Sequence, residues 1–505
     1  MVLSSLLTHK RLYLLALSLT LLAVSLFGPP TVKVYGVIST LDISKLIEIL
    51  TASETIFRMP DTHLRLLIFT SAMLLLIMIP LINVDNEINY KIPDHKILLI
   101  IFMFFATYLS TNYLYNILAL VLFLISIYYC IFLFNDKLEK YELIFITSYL
   151  MIFLYPFYHS LYISSELTEV DNYLRFLLAI PVYLLSRSLI FRDTDILYSI
   201  NIVSIIIGLS ALYYYLFYND IRVRGFTSTS AIFSNISLLF AVLSFCTIKK
   251  LYMIRSRYAY ISIIGTMFAL IAWSTTGSRG SIIALFFLLV LIMFNKKLRT
   301  EYLFFNIKYV IMTTFVFSLI FYQSGSLTRM QNAYQSTYNY IYSDSPHHWK
   351  HEDSIVPRMS LWKGSLNMIY DNSALGVGLS NYNNALNDQI ISGNIKPIRQ
   401  DPLNYTAGMN HAHSQYLDIF AKTGMIGFLT LIYFILANYY FFYNNLKINR
   451  NNIPGFMGSI VLTSYVSYMI YHTVLSHQQS ILFMTFSLAI LAGLSYSNAN
   501  RKRIK

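Results

Sequence analysis

Long apolar runs recur along almost the whole chain, and each is long enough to cross a lipid bilayer as a helix. A transmembrane helix needs about 20 apolar residues, whereas a transmembrane strand needs about 10. Because every backbone amide in lipid must be hydrogen-bonded within the protein, runs of this length favour helices over strands. Charged residues make up only 12% of the chain, and soluble domains average about 25%. The sequence therefore predicts an all-α integral membrane protein.

The apolar runs predict about fourteen transmembrane helices, with about twelve as the alternative count. The first run follows Lys10 and Arg11 without a small-residue cleavage site, so we expect it to be a retained span and not a signal peptide. The spans are predicted near residues 11–28, 65–84, 97–112, 114–135, 143–159, 173–191, 196–218, 230–248, 258–275, 280–295, 308–323, 424–443, 455–473 and 478–497.

The pattern of apolar runs divides the chain into four parts. Residues 1–200 hold the N-terminal transmembrane helices, and residues 201–323 hold the central ones with outward-facing arginines. Residues 324–414 form one large loop that we expect to contain short helices. The C-terminal transmembrane helices occupy residues 415–505.

Lysine and arginine are concentrated in alternate loops, such as the one with Lys249, Lys250, Arg255 and Arg257, and in the tail that ends at Lys505. Loops rich in basic residues stay on the cytoplasmic side, so the large loop, in which acidic and basic residues balance, is predicted to face the opposite side. This asymmetry accounts for the net charge of +13. No nucleic-acid partner is predicted, and membrane lipids are the expected surroundings.

Three arginines, Arg222, Arg224 and Arg279, lie in short loops on that outer side, where positive charge is disfavoured. An arginine near hydrocarbon costs about 3 kcal/mol or more unless it is paired or faces a polar cavity. Each of them alone could be a side chain that extends to the headgroups. Together they indicate an anion site, because a guanidinium can bond two phosphate oxygens at once.

The large loop contributes a fourth arginine, Arg358, at the predicted start of an amphipathic helix. The alternative for Arg358 is a solvated loop charge. The stretch 346–353, PHHWKHED, is rich in histidine, but its spacing matches no established metal motif. We therefore predict no metal site and no cofactor.

His413 stands at the end of the large loop, just before a helix predicted from Ser414 to Thr423. Asp418 and Lys422 are expected to be exposed on this helix as an (i, i+4) pair. Two further residues, Gly424 and Gly427, are predicted to allow close helix packing where the span enters the membrane. A histidine at the water-facing end of a rigid element, with an ordinary pKa near 6.5, is suited to act as a general base.

The stretch HSQYLDIFAKTGMIG, from His413 to Gly427, resembles the H-[NSQ]-x9-G-x-x-G pattern of the O-antigen ligase family. Three further stretches resemble that family: RGF at 224–226, SRG at 278–280, and RMSLW followed by LGVGLSNY in the large loop. The resemblance covers roughly residues 200 to 430. A span count above twelve would depart from the family's usual number.

The resemblance implies a glycosyltransferase of the bacterial inner membrane with its active site facing the periplasm. Such an enzyme moves a glycan from undecaprenyl diphosphate to lipid A–core, without a metal or a nucleotide sugar. His413 would activate the acceptor hydroxyl. By the same resemblance Arg224, Arg279 and Arg358 would bind the donor's diphosphate, and Arg222 joins them from its position in the outer loop.

Two alternatives remain. A repeat-unit polymerase for O-antigen or capsule belongs to the same superfamily, and its acceptor is a second lipid-linked glycan. A lipid-linked oligosaccharide flippase would have a similar number of spans, but transporters tend to have repeated halves. No repeat is detectable in this sequence, and its polar residues are concentrated in one outer loop, which favours an enzyme.

Overall fold

The computed structural model describes residues 94–163, 170–218, 222–278, 355–398 and 409–504, with isolated residues at 280–284, 286–287, 331–342 and 406. The predicted spans near 11–28, 65–84 and 308–323 lie outside the described residues, and so does most of the span near 280–295.

The described residues form twelve α-helices, two short 3-10 helices and no strands. The α-helices are α1 (Asp94–Thr107), α2 (Leu114–Phe132), α3 (Lys140–Tyr162), α4 (Val170–Ser188), α5 (Asp193–Tyr218), α6 (Ser230–Ile254), α7 (Ala259–Thr275), α8 (Ile355–Asp371), α9 (Tyr382–Ile391), α10 (Gln415–Ile448), α11 (Ile453–Tyr468) and α12 (Gln478–Ile504).

Each of the ten predicted spans that falls on described residues coincides with one of these helices, and α8 and α9 lie in the predicted large loop. Seven helical segments are long and apolar enough to cross a membrane: Leu114–Phe132, Lys140–Tyr162, Asp193–Tyr218, Ser230–Ile254, Ser256–Thr275, Gln415–Ile448 and Gln478–Arg501. The protein is thus a multi-pass helical membrane protein in its described part. The count of fourteen and the side of the large loop stay predictions.

The centre of the bundle is α12, which packs on α4, α10 and α11. In its membrane-crossing segment 94% of the residues are buried inside the protein. A β-carbon at Gly493 would come within 2.5 Å of the β-carbon of Ser186, so only glycine permits α12 to lie this close to α4. Cys130 and Cys246 are both buried, and no disulfide joins them.

At the end of the bundle where α4 and α12 finish, Arg187 is buried among acidic and aromatic partners. Its Nε bonds Glu142 at 2.6 Å, and a second nitrogen bonds Asp136 at 3.1 Å. Tyr496 accepts a further hydrogen bond from Arg187 at 2.9 Å and lies under its guanidinium. This shared charge cluster joins α3, α4 and α12, because a buried arginine is stable only when its donors are satisfied.

The other end is where α6, α10 and α12 begin and α5, α7 and α11 finish, and we call it the His413 end. There α10 is interrupted at Gly424, whose φ of 68° and ψ of −167° are not helical. The carbonyls of Ala421 and Lys422 instead accept hydrogen bonds from the backbone of Val377 and Gly378, both at 2.9 Å. The helix predicted up to Thr423 and the span predicted from Gly424 are therefore two halves of one kinked helix. A straight helix would place His413, Phe420, Gly424 and Gly427 on one face, and the kink at Gly424 removes that arrangement.

Gly424 is also the closest point between α10 and the segment after α8. A β-carbon at Gly424 would lie 2.1 Å from the carbonyl oxygen of Ala374. Gly427 packs instead on Thr423 and on Tyr155 of α3. The two glycines thus serve different contacts, one with the loop segment and one with a neighbouring helix.

We predict that Gly424→Ala lowers the thermal unfolding midpoint of the detergent-purified protein. The substitution adds a left-handed backbone cost of about 1–2 kcal/mol and an overpacking cost of about 1–3 kcal/mol. Gly393→Ala is the matched control, because Gly393 has a φ of 76° but no atom within 4 Å of its β-carbon position. Equal losses of stability in the two variants would contradict the proposed close contact.

Candidate functional site

The short segment before α10 holds His413 in an unusual backbone conformation. Its φ is 52°, the only positive value at a non-glycine residue in the described ranges. For a residue with a β-carbon this left-handed conformation costs about 1–2 kcal/mol. It is held from both sides: the backbone N–H of Ala412 bonds Oδ1 of Asp418 at 2.9 Å, and that of Gln415 bonds the Met469 carbonyl at 2.8 Å. The first turn of α10 therefore fixes the position of His413.

Asp418 and Lys422 do form the predicted (i, i+4) pair, with Nζ and Oδ2 3.5 Å apart. The expectation that they are exposed is wrong, because Asp418 is only 2% and Lys422 only 1% exposed. Helices α8 and α9 cover this face of α10, and the Lys422 ammonium lies 5.5 Å from the centre of the Tyr382 ring. The pair is thus an internal link between the segment of His413 and the covering helices.

Four histidines meet at this end of the bundle. The rings of His411 and His413 are perpendicular with centroids 4.4 Å apart, and His411 lies 5.6 Å from His477. His477 in turn stacks on His472, with centroids 4.7 Å apart and planes only 12° from parallel. His411 and His413 precede α10, whereas His472 and His477 lie between α11 and α12. Two connections that are distant in sequence thus supply one cluster.

Arg358, in the first turn of α8, is the predicted arginine that meets this cluster. It interacts electrostatically with His411, His413 and His472, and it also faces Tyr471. Burial lowers the pKa of the Arg358 guanidinium from its ordinary value. No carboxylate of the described residues forms an ion pair with it. Arg358 is therefore a largely buried cation beside imidazoles, and not the solvated loop charge of the alternative interpretation.

Burial lowers the pKa of His413 to about 3, and the nearby His411, Arg358 and His477 add to this effect. Burial likewise lowers the pKa of His477 to about 4, with a smaller contribution from His411. Each imidazole is consequently neutral at pH 7 and keeps a lone pair that can accept a proton. The pKa of His413 lies below the ordinary value on which the sequence-based expectation relied, because burial and neighbouring positive charge both oppose protonation.

Arg222 and Arg224 lie in the loop between α5 and α6, and both are exposed. This loop is fixed at the His413 end. The Val223 N–H bonds the Thr275 carbonyl at the end of α7 at 3.0 Å. Gln479, in the first turn of α12, accepts from the Ser228 N–H at 2.8 Å and donates to the Phe226 carbonyl at 3.0 Å. The loop thus lies beside the helix start that follows His477.

Arg279 lies outside the described residues. The glycine after it, Gly280, packs against the ring of Tyr471, and a β-carbon at this position would come within 2.3 Å of the ring. Gly277 has a φ of 59°, which favours glycine. The backbone at Gly280 therefore makes its close approach to Tyr471. The Tyr471 hydroxyl donates to Oδ1 of Asn235 on α6 at 2.6 Å.

Sequence reasoning missed His411, His472 and His477 as members of the site. Each lies in a short polar connection, and a lone histidine in such a place is usually structural. The available signal was that HAH at 411–413 and YHTVLSH at 471–477 both precede helices that begin on the same side of the membrane. No group of three or more His, Cys, Asp or Glu side chains in the described part of the chain is placed to hold a metal ion.

Comparison with known proteins gives two findings. Residues 264–432 match the model of a family described as O-antigen ligase. An uncharacterized protein of Haemophilus influenzae is 27% identical to this chain over 402 residues, which is 76% of this chain and 94% of that protein. The matched part runs from within α7 to the first half of α10 and includes Arg358 and His413. The resemblance to the O-antigen ligase superfamily is thereby confirmed.

We predict that Asp418→Asn lowers the free energy of unfolding by about 3–5 kcal/mol, because it leaves the Lys422 ammonium buried without its carboxylate. Asp195→Asn is the matched control, since Asp195 pairs with Arg192 at 3.0 Å but on an exposed surface. That change should cost less than about 1 kcal/mol. Adding Lys422→Met to Asp418→Asn should restore much of the stability in a double-mutant cycle of denaturant unfolding. Additive effects of the two substitutions would rule out the coupling.

Proposed function

We propose, from the match of residues 264–432 to the O-antigen ligase family, that this membrane protein is a glycosyltransferase that uses a polyprenyl-diphosphate-linked glycan. The donor is undecaprenyl diphosphate carrying an oligosaccharide or polysaccharide, and the acceptor is a hydroxyl of lipid A–core. The single observation that carries the proposal is that His413, which is neutral at pH 7, and the largely buried guanidinium of Arg358 lie at the same end of the bundle and interact electrostatically.

In this mechanism His413 takes the proton of the acceptor hydroxyl while the acceptor oxygen attacks the anomeric carbon of the donor sugar. The bond between that carbon and the phosphate oxygen breaks, and the lipid diphosphate leaves with the bonding electron pair. Arg358 stabilises the negative charge that gathers on the leaving oxygen, which is worth most in a site shielded from water. The proton passes from His413 to the leaving diphosphate or to water, so His413 returns to its neutral form.

The low pKa of His413 in the unliganded site has a direct consequence for this step. A diphosphate beside Arg358 brings negative charge to the imidazoles, which raises the pKa of His413 toward the range useful for a general base. The base is therefore weak until the donor is bound. Because His413 becomes an effective base only after the donor binds, it does not activate the acceptor hydroxyl or water before then.

Arg222, Arg224 and Arg279 complete the proposal as further diphosphate-binding groups. The outer loop with Arg222 and Arg224 is anchored beside the start of α12, and Arg279 precedes the contact of Gly280 with Tyr471. Guanidinium groups can neutralise a diphosphate without a divalent cation. We therefore propose that the transfer is independent of metal ions.

We further propose that the His413 end faces the periplasm and that the membrane is the bacterial inner membrane. The support is the distribution of positive charge at the opposite end of the bundle. Lys249 and Lys250 lie near the end of α6 and Lys447 lies at the end of α10, and the connections that follow these helices carry Arg255, Arg257 and Arg450. Positively charged connections remain in the cytoplasm.

We predict that Lys396→Cys is labelled in intact cells by a membrane-impermeant maleimide, whereas Arg257→Cys is labelled only after the inner membrane is opened. The native Cys130 and Cys246 are buried and give little background. The experiment uses intact and permeabilised spheroplasts, with labelling measured by a gel shift. The reverse pattern would place the His413 end in the cytoplasm and would end the glycosyltransferase proposal in this form.

We predict that His413→Asn abolishes glycan transfer while the protein level and membrane insertion stay normal. Asparagine tolerates the left-handed backbone at this position better than other residues, so the variant removes the base without adding strain. General-base removal costs about 10²–10⁴ in rate. Arg358→Lys should also impair transfer, because an ammonium cannot form the two-pronged bond to a diphosphate.

The measurement is complementation of a deletion strain, with lipopolysaccharide resolved on gels. Loss of all long-chain species together with accumulated lipid-linked polymer indicates a ligase. Core bearing a single repeat unit indicates the repeat-unit polymerase. Normal lipopolysaccharide in the His413→Asn strain would remove the general-base role, and His95→Gln is the control, since exposed His95 lies in α1 at the opposite end of the bundle.

A further inference from the structure

Several polar side chains that are almost fully buried at the His413 end have atoms with no hydrogen-bond partner among the described residues. They are Nε2 of Gln415, Nε2 of His472 and Oγ1 of Thr473, with residue exposures of 0%, 4% and 0%. Nδ1 of His411 and Nδ1 of His413 share this property. A buried polar atom without a partner costs about 1–3 kcal/mol. So many of them in one place are expected where a polar ligand supplies the missing partners.

The orientation of Gln415 is defined by its other contact. Its Oε1 accepts the backbone N–H of Leu475 at 2.7 Å, so the unpartnered Nε2 is a donor. Donors without acceptors indicate an anionic ligand. The starts of α10 and α12 lie in the same place, directly after His413 and His477, and add two positive helix ends.

A cation would be disfavoured here. Arg358 already faces three of the histidines. Among the described residues, the carboxylate of Asp418 interacts with His411, but it is already bonded to Lys422 and to the Ala412 N–H. Among the described residues, positive charge therefore exceeds negative charge in this cluster, which suits an anionic ligand.

We propose that His411, His472 and His477 bind the diphosphate of the lipid-linked donor together with Arg358, and that these imidazoles take up protons when the diphosphate binds. This inference rests on the proposed function and adds to it three residues and a proton linkage. His413 remains the base, and the other three imidazoles hold the phosphoryl oxygens with charge-assisted hydrogen bonds.

Whether protons are taken up or released on binding depends on the protonation state of the histidines before the diphosphate binds. Burial lowers the pKa of His411, His472 and His477. Lys422 and Arg358 add to this effect at His411, and neighbouring histidines add to it at His472 and His477, so all three are neutral at pH 7 before binding. A bound diphosphate raises these pKa values, and protons are therefore taken up on binding. Binding that takes up protons becomes tighter as the pH falls. The titratable and charged groups that face the three histidines come from α8, α10 and the two connections: Arg358, His413, Asp418, Lys422 and Tyr471.

The test is calorimetry of the detergent-purified full chain with farnesyl diphosphate as the probe. Titrations at pH 6.5 in two buffers with different ionisation heats give the number of protons taken up per ligand. Farnesol, which lacks the diphosphate, corrects for partition of the apolar chain into the micelle. The ionisation of the probe itself is common to every variant and cancels in the comparison.

We expect His477→Gln to bind farnesyl diphosphate about tenfold more weakly, a loss typical of one charge-assisted hydrogen bond, and to take up fewer protons than the unsubstituted chain. His411→Asn should do the same. His95→Gln is the control and should change neither quantity. Unfolding midpoints close to that of the unsubstituted chain establish that the variants are folded.

Proton uptake that is the same in His477→Gln, His411→Asn and the unsubstituted chain would overturn the inference, and so would unchanged affinity. In either case the proposed function is judged separately by the His413→Asn complementation. Normal transfer in that strain would overturn the function, whereas loss of transfer with pH-independent binding would leave the function standing and remove only the histidine site.

Discussion

The hydrogen bond from the Ala412 N–H to the buried Asp418 carboxylate is the contact on which the candidate site depends. It ties the connection that carries His411 and His413 to the first turn of α10, and Lys422 balances the buried charge from the next turn. Because Lys422 also meets the Tyr382 ring, the same link reaches the helices that cover the site. Without it, a non-glycine residue in a left-handed conformation would have little to hold it there.

A second constraint, within the part of the chain that the structure describes, is the scarcity of compensating negative charge around Arg358 and the four histidines. In such surroundings the histidines have lowered pKa values, and a bound anion would raise these pKa values. In the proposed mechanism, donor binding and proton transfer are then coupled through the same electrostatic field. An exposed cluster of the same residues would lack this coupling, since water would screen each charge from the next.

The sequence predicted the helices well because each apolar run is long and its ends are marked by polar or charged residues. The alternating charge of the loops and the sequence motif that begins at His413 also predicted that Arg358 and His413 lie on the same side of the membrane. The prediction of exposure was wrong for Asp418 and Lys422, because an (i, i+4) spacing is found in exposed pairs as well as in buried ones. The burial of that pair comes from α8 and α9, which are distant in sequence. The same distance hid His472 and His477, which join the site only because α11 and α12 pack beside α10. The roles of Arg222 and Arg224 stay predictions.

Among the described helices, the one that lies at the centre is the last to be synthesised. Until α12 leaves the ribosome, α4 has no partner for the face that Gly493 later approaches, and the connection with His477 has no helix after it to hold it in place. Segments of a chain generally fold in the order of their synthesis, so the earlier helices enter the bilayer before the central helix of the bundle is present. Assembly of the His413 end is therefore a late event, and truncation within the C-terminal part of α12 would affect a site at the opposite surface of the membrane.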